Sequence, residues 1–248
     1  MAAPVFIADS GVLDARPERL VLSGNEGRHA VSVVRLSPGE LVDVVDGAGL
    51  RAHAVVVAAR KPDVLEVEIR SYDVDPEPHP RITVIQALPK SDRSERTIEV
   101  LTEVGVDRIV PWSASRCVTQ WKDSKGRDKW VATARESAKQ SRRSRFPEIG
   151  ALASTKALLQ LIAESSCVLV LHESGSVALA DIDIPQVGDI GLVVGPEGGI
   201  SAEELEAMVA AGGVPTRMGP TVLRTSTAGA VAAGVVLSRS GRWQDLTP

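Results

Sequence analysis

Asp73 to Pro80 reads D-V-D-P-E-P-H-P. Pro76, Pro78 and Pro80 each fix φ and each lack a backbone donor, so neither a helix nor a sheet interior continues through them. The chain is cut there into two parts with different rhythms. Residues 73–80 are read as a linker between a domain at 1–72 and a domain at 81–248.

Before the cut, the segments are short and rich in valine. Val31 to Leu36, Leu41 to Asp46, Ala52 to Ala59 and Val64 to Arg70 read as strands. Turn signals separate them at Ser37-Pro38-Gly39, Asp46-Gly47-Ala48-Gly49 and Lys61-Pro62-Asp63. This spacing predicts a small all-β barrel or sandwich.

After the cut, strands alternate with helices. Strands are expected at Ile82–Leu88, Arg108–Trp112, Cys167–Leu171, Ile190–Val194 and Pro215–Met218. Helices are expected at Asp92–Val104, Arg127–Arg142, Thr155–Glu164, Ser201–Ala211 and Thr227–Arg239. That alternation defines an α/β domain with a mainly parallel sheet. Aromatic residues are only 3% of the 248, so valine, leucine, isoleucine and alanine must build both cores.

No apolar run approaches the roughly 20 residues that span a bilayer, so no membrane partner is expected. The start, M-A-A-P-V-F-I-A-D, lacks the basic and apolar regions of a signal peptide. Cys117 and Cys167 lie far apart without metal-ligand spacing. A reducing cytoplasm and no metal are the expectations.

Two glycine-proline loops stand out. Leu192 to Glu204 reads L-V-V-G-P-E-G-G-I-S-A-E-E. An apolar strand stops at Gly195, and Ser201 with Glu204 forms a capping box that starts a helix. Gly195, Pro196, Glu197, Gly198 and Gly199 thus sit beyond a strand's carboxyl end, where open α/β sheets bind ligands. A plain tight turn is the alternative. The loop lacks the Gly-Lys-Ser/Thr of a Walker A sequence and the G-x-G-x-x-G of a dinucleotide site. Pro196 also removes a donor that a phosphate cradle would use. A ligand gripped by phosphate is therefore not expected.

Met218 to Ala228, M-G-P-T-V-L-R-T-S-T-A, is a second such loop, and it again runs into a helix. Arg224 reads as a permanent charge in an apolar setting. The helix beyond is dense in alanine and glycine, which suits either a crowded core or the close approach of another chain. Leu171-His172-Glu173 ends a third strand. His172 is either a satisfied polar residue or a catalytic one.

The net charge is −4, yet Arg116 to Arg145 holds ten basic residues against three acidic ones. Arg135, Lys139, Arg142 and Arg143 recur at spacings of three and four and are expected on one helix face. Such a face is either simply solvated or binds a polyanion. Trp112, Trp121 and Trp130 flank or interleave it, as stacking platforms for unpaired bases or as core anchors.

Taken together, P-K-S-D-R (Pro89–Arg93), T-E-V-G-V-D-R-I-V-P (Thr102–Pro111), A-K-Q-S (Ala138–Ser141), V-G-P-E-G-G (Val194–Gly199) and M-G-P-T-V-L-R-T (Met218–Thr225) resemble the 16S ribosomal RNA uridine-N3 methyltransferases of the SPOUT superfamily. The resemblance covers almost the whole chain, and R-H-A-V-S-V-V-R-L (Arg28–Leu36) is similar to their PUA-like domain. Ser226 stands where members often carry glutamate, and Ser91 where glycine is usual.

The resemblance implies a C-terminal trefoil-knotted parallel-sheet domain after an N-terminal PUA-like barrel. It implies S-adenosylmethionine as methyl donor, S-adenosylhomocysteine as product, and a homodimer. The cofactor pocket would be Leu171, His172, Glu173, Gly195, Pro196, Glu197, Gly198, Gly199, Met218, Gly219, Pro220, Val222, Leu223, Arg224, Thr225, Thr227 and Ala228. Arg28, Arg35, Arg116, Arg135, Lys139, Arg142 and Arg143 would contact 16S rRNA in the 30S subunit. Arg224 would stabilise charge on the uracil, and Glu197 or Glu173 would take its proton. A non-catalytic ribosome-assembly factor that keeps the fold is the alternative, as is an enzyme that uses G-P-E-G-G for a nucleotide phosphate.

Overall fold

The structure is a computed structural model that describes residues 3–90 and 93–243. The described residues divide into two compact units. The first holds the chain up to Glu77 together with Arg135–Phe146; the second holds Pro78–Ala134 and the chain from Pro147 onward.

In the first unit, β1 (Val5–Ile7), β2 (Arg19–Leu22), β3 (Leu41–Val45), β4 (Leu50–Arg60) and β5 (Val64–Val74) form one sheet in the order β1-β3-β4-β5-β2. β1 runs parallel to β3, and the other neighbours are antiparallel. Phe6, Leu13, Val44, Leu65 and Val67 fill the core. β5 continues to Val74, so the extended structure reaches two residues into the segment read as linker.

The unit is not purely β. Between β2 and β3 lie helix α1 (Gly24–Arg28) and a π-helical turn, His29–Val34, where the sequence reading placed a strand from Val31. A strand needs alternate residues to share an environment, yet Val31 is 5% exposed and Val33 68%. The buried set is Gly27, Ala30 and Val31, at helical spacing. Gly27 brings the helix against the sheet: a Cβ there would lie 1.8 Å from the Asp63 carbonyl oxygen. Tertiary packing overrides the strand preference of the valines.

The second unit contains β6 (Arg81–Ala87), α2 (Ser94–Val104), β7 (Arg108–Ser113), α3 (Lys125–Gln140), β8 (Glu148–Ile149), β9 (Ala153–Ser154), α4 (Thr155–Glu164), β10 (Cys167–Leu171), β11 (Val177–Ala178), β12 (Asp189–Val194), α5 (Ala202–Ala210), β13 (Val214–Arg217) and α6 (Thr225–Arg239). The last turns of α3 cluster with the first unit. Ser91 and Asp92, quoted in the P-K-S-D-R stretch, lie outside the described residues, so α2 is described from Ser94.

The sheet order is β11-β13-β10-β12-β6-β7-β8, with β9 beside β7. Every pairing is parallel. Both faces of the central strands are covered, which explains their unbroken apolar runs. On one face Ile98 and Leu101 of α2 and Val236 and Leu237 of α6 pack on Val84, Leu192 and Val194. On the other, Leu158 and Ile162 of α4 and Met208 of α5 pack on Ile85, Val168 and Val193. The small residues of α6 follow from this: a Cβ at Gly229 would meet Leu101, Val194 and Val84 side chains at 3.1–3.3 Å. Its alanine-rich face is filled within the chain.

Candidate functional site

β13, β10 and β12 are adjacent and parallel, so their carboxyl ends open at one edge of the sheet. Two adjoining cavities lie there, of about 270 and 530 Å³. Leu171, His172, Glu173, Val222, Leu223 and Ala228 line both. Met218, Gly219 and Pro220 line only the smaller; Gly195 to Gly199, Arg224 and Thr225 line only the larger. The residues singled out in three separate sequence stretches thus meet around one cleft. Thr227 is the exception: it is exposed, and its hydroxyl donates to the Arg224 carbonyl at 3.3 Å.

The G-P-E-G-G loop is built by close approaches. A Cβ at Gly195 would lie 2.7 Å from Ile200 Cγ1. Gly199 has φ +75 and donates its N–H to the Pro196 carbonyl at 2.9 Å. Arg116 covers the loop: its Nη1 donates to the Gly198 carbonyl at 3.2 Å. The Glu197 carboxylate accepts the Lys90 N–H at 3.2 Å, so it tethers the loop to the end of the β6 segment.

Behind the loop, the capping box between Ser201 and Glu204 starts α5. The Glu204 carboxylate does more than cap. It also accepts the Ser115 N–H and hydroxyl, both at 2.8 Å, and the Thr155 hydroxyl at 3.0 Å. Burial pushes the Glu204 pKa up, but these donors outweigh it and hold the group below its ordinary 4.5.

His172 Nδ1 accepts the Ser174 N–H at 3.2 Å and lies 2.8 Å from the Ser174 hydroxyl. With Nδ1 accepting, the neutral ring carries its proton on Nε2. Gly175 lets this turn lie on β13: a Cβ there would be 2.6 Å from the Thr216 carbonyl carbon.

Arg224 is exposed, which corrects its reading as a charge in an apolar setting. It precedes the first turn of α6 and lines the larger cavity. Arg93 and Arg116 line the same cavity. Arg93 was not among the sequence candidates; its position just before α2, after β6, was the available signal. Three arginines therefore line a cleft that also holds His172, Glu173 and Glu197 among apolar side chains and glycine backbone.

The basic segment is less uniform than its spacing suggested. α3 ends at Gln140 and Arg142 takes φ +59, so the expected four-residue face breaks off after Lys139. Arg28, Arg35, Arg135 and Arg142 are exposed. Lys139 is not: its side chain is 5% exposed, and its Nζ lies 2.8 Å from the Glu26 carboxylate. Arg143 is half-buried and donates Nε to the Arg145 carbonyl. Trp112 and Trp130 are buried, and Trp121 packs edge-on against Trp130, with ring centroids 4.9 Å apart. All three are core anchors.

Cys117 and Cys167 are free thiols, and burial pushes both pKa values up. Among the described residues, no cluster suits a metal ion, and no helix is long and apolar enough to cross a membrane.

An open parallel sheet with a glycine-built cleft beyond its strand ends, lined by three arginines, places the chain among α/β proteins that bind a ligand at the carboxyl edge of the sheet. The comparisons with known proteins narrow that class. Residues 76–237 match the RNA methyltransferase domain family, and residues 22–69 match the RNA methyltransferase PUA domain. Ribosomal RNA small subunit methyltransferase E of Mycobacterium bovis is 46% identical over 250 residues, covering 98% of this chain and 94% of its own. The protein of that name from Bacillus subtilis is 30% identical, covering 84% and 85%. The crystal structure of Neisseria gonorrhoeae ribosomal RNA small subunit methyltransferase E bound to S-adenosyl methionine superposes with a TM-score of 0.84, at 26% identity, over 96% of this chain and 98% of that one. The chain belongs to the RNA methyltransferase family whose members carry an N-terminal PUA domain.

Proposed function

We propose that this protein methylates N3 of a uridine in 16S ribosomal RNA, using S-adenosylmethionine. The observation that carries the reading is the convergence of both glycine-proline loops and the end of β10 on one arginine-lined cleft. The relatives named above are ribosomal RNA methyltransferases, and one was solved with S-adenosyl methionine bound.

The cleft suits the cofactor's chemistry. Leu171, Val222, Leu223 and Ala228 offer apolar surface to a purine ring, and the loops at Gly195–Gly199 and Met218–Pro220 offer backbone groups to its edge. Glu173 lies where both cavities meet, on the side a positive sulfonium and ammonium favour. When bound, the cofactor supplies a methyl group activated by the adjacent sulfonium.

N3 lies on the pairing edge of uracil, so the base enters the cleft unpaired. The protein's first task is to hold N3 in line with the methyl group, about 3–3.5 Å away. The N3 proton must leave, and negative charge then spreads onto the two ring carbonyls. Arg224, exposed and lining the larger cavity, stabilises that charge. Glu173 is the carboxylate assigned to the proton, because Glu197 is committed to the Lys90 N–H. Arg116 and Arg93 hold the phosphates beside the target.

The family's trefoil knot is assigned to the segment that carries β13 past the β10 loop into α6. A homodimer, a 30S-subunit substrate and a cytoplasmic location complete the proposal. Primer extension on 16S rRNA from cells lacking the protein tests it. A reverse-transcription stop present in the parent strain is expected to vanish, return with the wild-type gene, and fall at least tenfold with Arg224→Ala. An identical stop pattern in both strains refutes methyl transfer and leaves an RNA-binding assembly factor.

A further inference from the structure

The wall of the larger cavity includes the start of α6, and that start is left open. Arg224 occupies the N-cap position with extended backbone, and its side chain makes no capping bond. Its carbonyl accepts the Thr227 and Ala228 N–H groups, both at 2.9 Å. The Thr225 and Ser226 N–H groups have no acceptor among the described residues. The first turn carries no acidic side chain, so nothing within it offsets the positive end of a 15-residue helix.

A second observation at the same place points to a ligand. Thr225 is 7% exposed and lines the larger cavity, yet its hydroxyl makes no hydrogen bond among the described residues. The Ser226 hydroxyl, in a residue 9% exposed, makes none either. Buried hydroxyls are ordinarily paired, because losing water without gaining a partner is unfavourable. Thr225 and Ser226 thus bring two unused N–H groups and an unused hydroxyl to the cavity wall.

The turn is fixed from two sides. Gly229, one turn further on, lets α6 lie against Leu101, Val194 and Val84. Gln86, opposite Val194 in the sheet and fully buried, donates Nε2 to the Ala87 carbonyl at 3.0 Å and to the Thr225 carbonyl at 3.4 Å. Both partners are acceptors, so the orientation of the amide is set, and Oε1 is left buried without a partner. An apolar side chain would avoid that orphaned acceptor; the amide is kept for the turn it holds.

This site suits an oxygen that arrives neutral and is charged only during reaction. Arg93, Arg116 and Arg224 line the cavity, but Glu173 and Glu197 line it too and offset much of their attraction for a permanent anion. A uracil carbonyl fits: as N3 gives up its proton, charge spreads onto the flanking oxygens. When N3 bonds the methyl carbon, the electron pair of the broken C–S bond stays on sulfur and the ring is neutral again. Donors already in place need no reorganisation at that moment, whereas the exposed Arg224 must first be ordered.

We propose that the first turn of α6 is the oxyanion site of the reaction. The Thr225 hydroxyl and the Thr225 and Ser226 N–H groups hold a carbonyl oxygen of the target uracil, and Gln86 is the positioning residue behind them. The inference rests on the uridine-N3 reading above and adds the groups that carry its charge.

The test is single-turnover methyl transfer by full-length protein. The substrate is 16S rRNA transcribed with uridine or with 5-fluorouridine and assembled with small-subunit proteins. Fluorine withdraws electrons and stabilises the N3 anion by itself. Thr225→Val keeps the side-chain shape and removes the hydroxyl. Its rate is expected to fall about 100-fold on uridine RNA, but only about tenfold on 5-fluorouridine RNA, each against wild type on the same RNA. Thr225→Ser keeps the hydroxyl and should stay within about threefold of wild type. Gln86→Met keeps the volume without the amide and should show a smaller deficit that also shrinks on 5-fluorouridine RNA. Melting temperature and calorimetric affinity for S-adenosylmethionine should stay at wild type in Thr225→Val. A deficit equal on both RNAs, a wild-type rate in Thr225→Val, or a matching loss of S-adenosylmethionine affinity overturns the site while leaving the uridine reading intact. Were wild-type protein to methylate neither RNA, the uridine reading would fall and this inference with it.

Discussion

Glu204→Ala is expected to cost about 3 kcal/mol of stability, which corresponds to a fall in melting temperature of roughly 6–12 °C. The carboxylate is buried at 7% exposure and accepts donors from Ser115, Thr155 and Ser201. Removing it strands those donors beneath the G-P-E-G-G loop and loses the α5 cap as well. Chemical denaturation at neutral pH, with circular dichroism, measures the loss. A cost below 1 kcal/mol would show that these bonds are replaced by water.

The acid limb offers an independent check. The folded pKa of Glu204 lies below its ordinary 4.5, so its stabilisation is complete above that pH and fades as pH falls through the folded value. The difference between wild type and Glu204→Ala should therefore shrink only below pH 4.5. A difference that shrank between pH 8 and 6 would assign the effect to another group.

Gly195→Val is expected to weaken S-adenosylmethionine binding by on the order of 10–100-fold, as overpacking by 1–3 kcal/mol implies. The first carbon of the new side chain would already lie 2.7 Å from Ile200 Cγ1. Ile200 is buried, and the capping box behind it is anchored, so the loop must move into the cleft. Titration calorimetry on folded variant protein reads the change directly. Unaltered affinity would remove this loop from the cofactor site.

Much of the second unit was legible because its signals are local. The β12–loop–α5 boundary follows from an apolar run, glycines and the Ser201/Glu204 pair within a dozen residues. At the start of α4, Ser154 accepts the Ala157 N–H at 3.3 Å, another cap whose residues are neighbours in sequence. The convergence of three loops on one cleft was legible only through the resemblance, since strand order is not encoded locally.

The misreadings have a common cause: each depended on a partner distant in sequence. Val31 to Leu36 has strand-like composition, and only the sheet beneath Gly27 makes it helical. Lys139 has the spacing of an exposed cation, but Glu26, 113 residues away, removes it from the surface. Arg224 is apolar in its sequence neighbours and exposed in space. The small residues of α6 suited either a crowded core or a partner chain, and on their buried side α2 and the sheet supply the crowding.

The order of the strands also bears on how the protein comes into being. β12 pairs with β6, matching Leu192 with Val84, while α6 packs on α2 from the opposite end of the unit's sequence. Such long-range pairings must pay loop-closure entropy before they return any contact energy, so folding of this unit should be slow for its size. The cleft needs Ala228, late in the chain, to close its wall. A chain from which α6 has not yet emerged therefore has no finished pocket, and the cleft is complete only once that helix packs on α2 and the sheet.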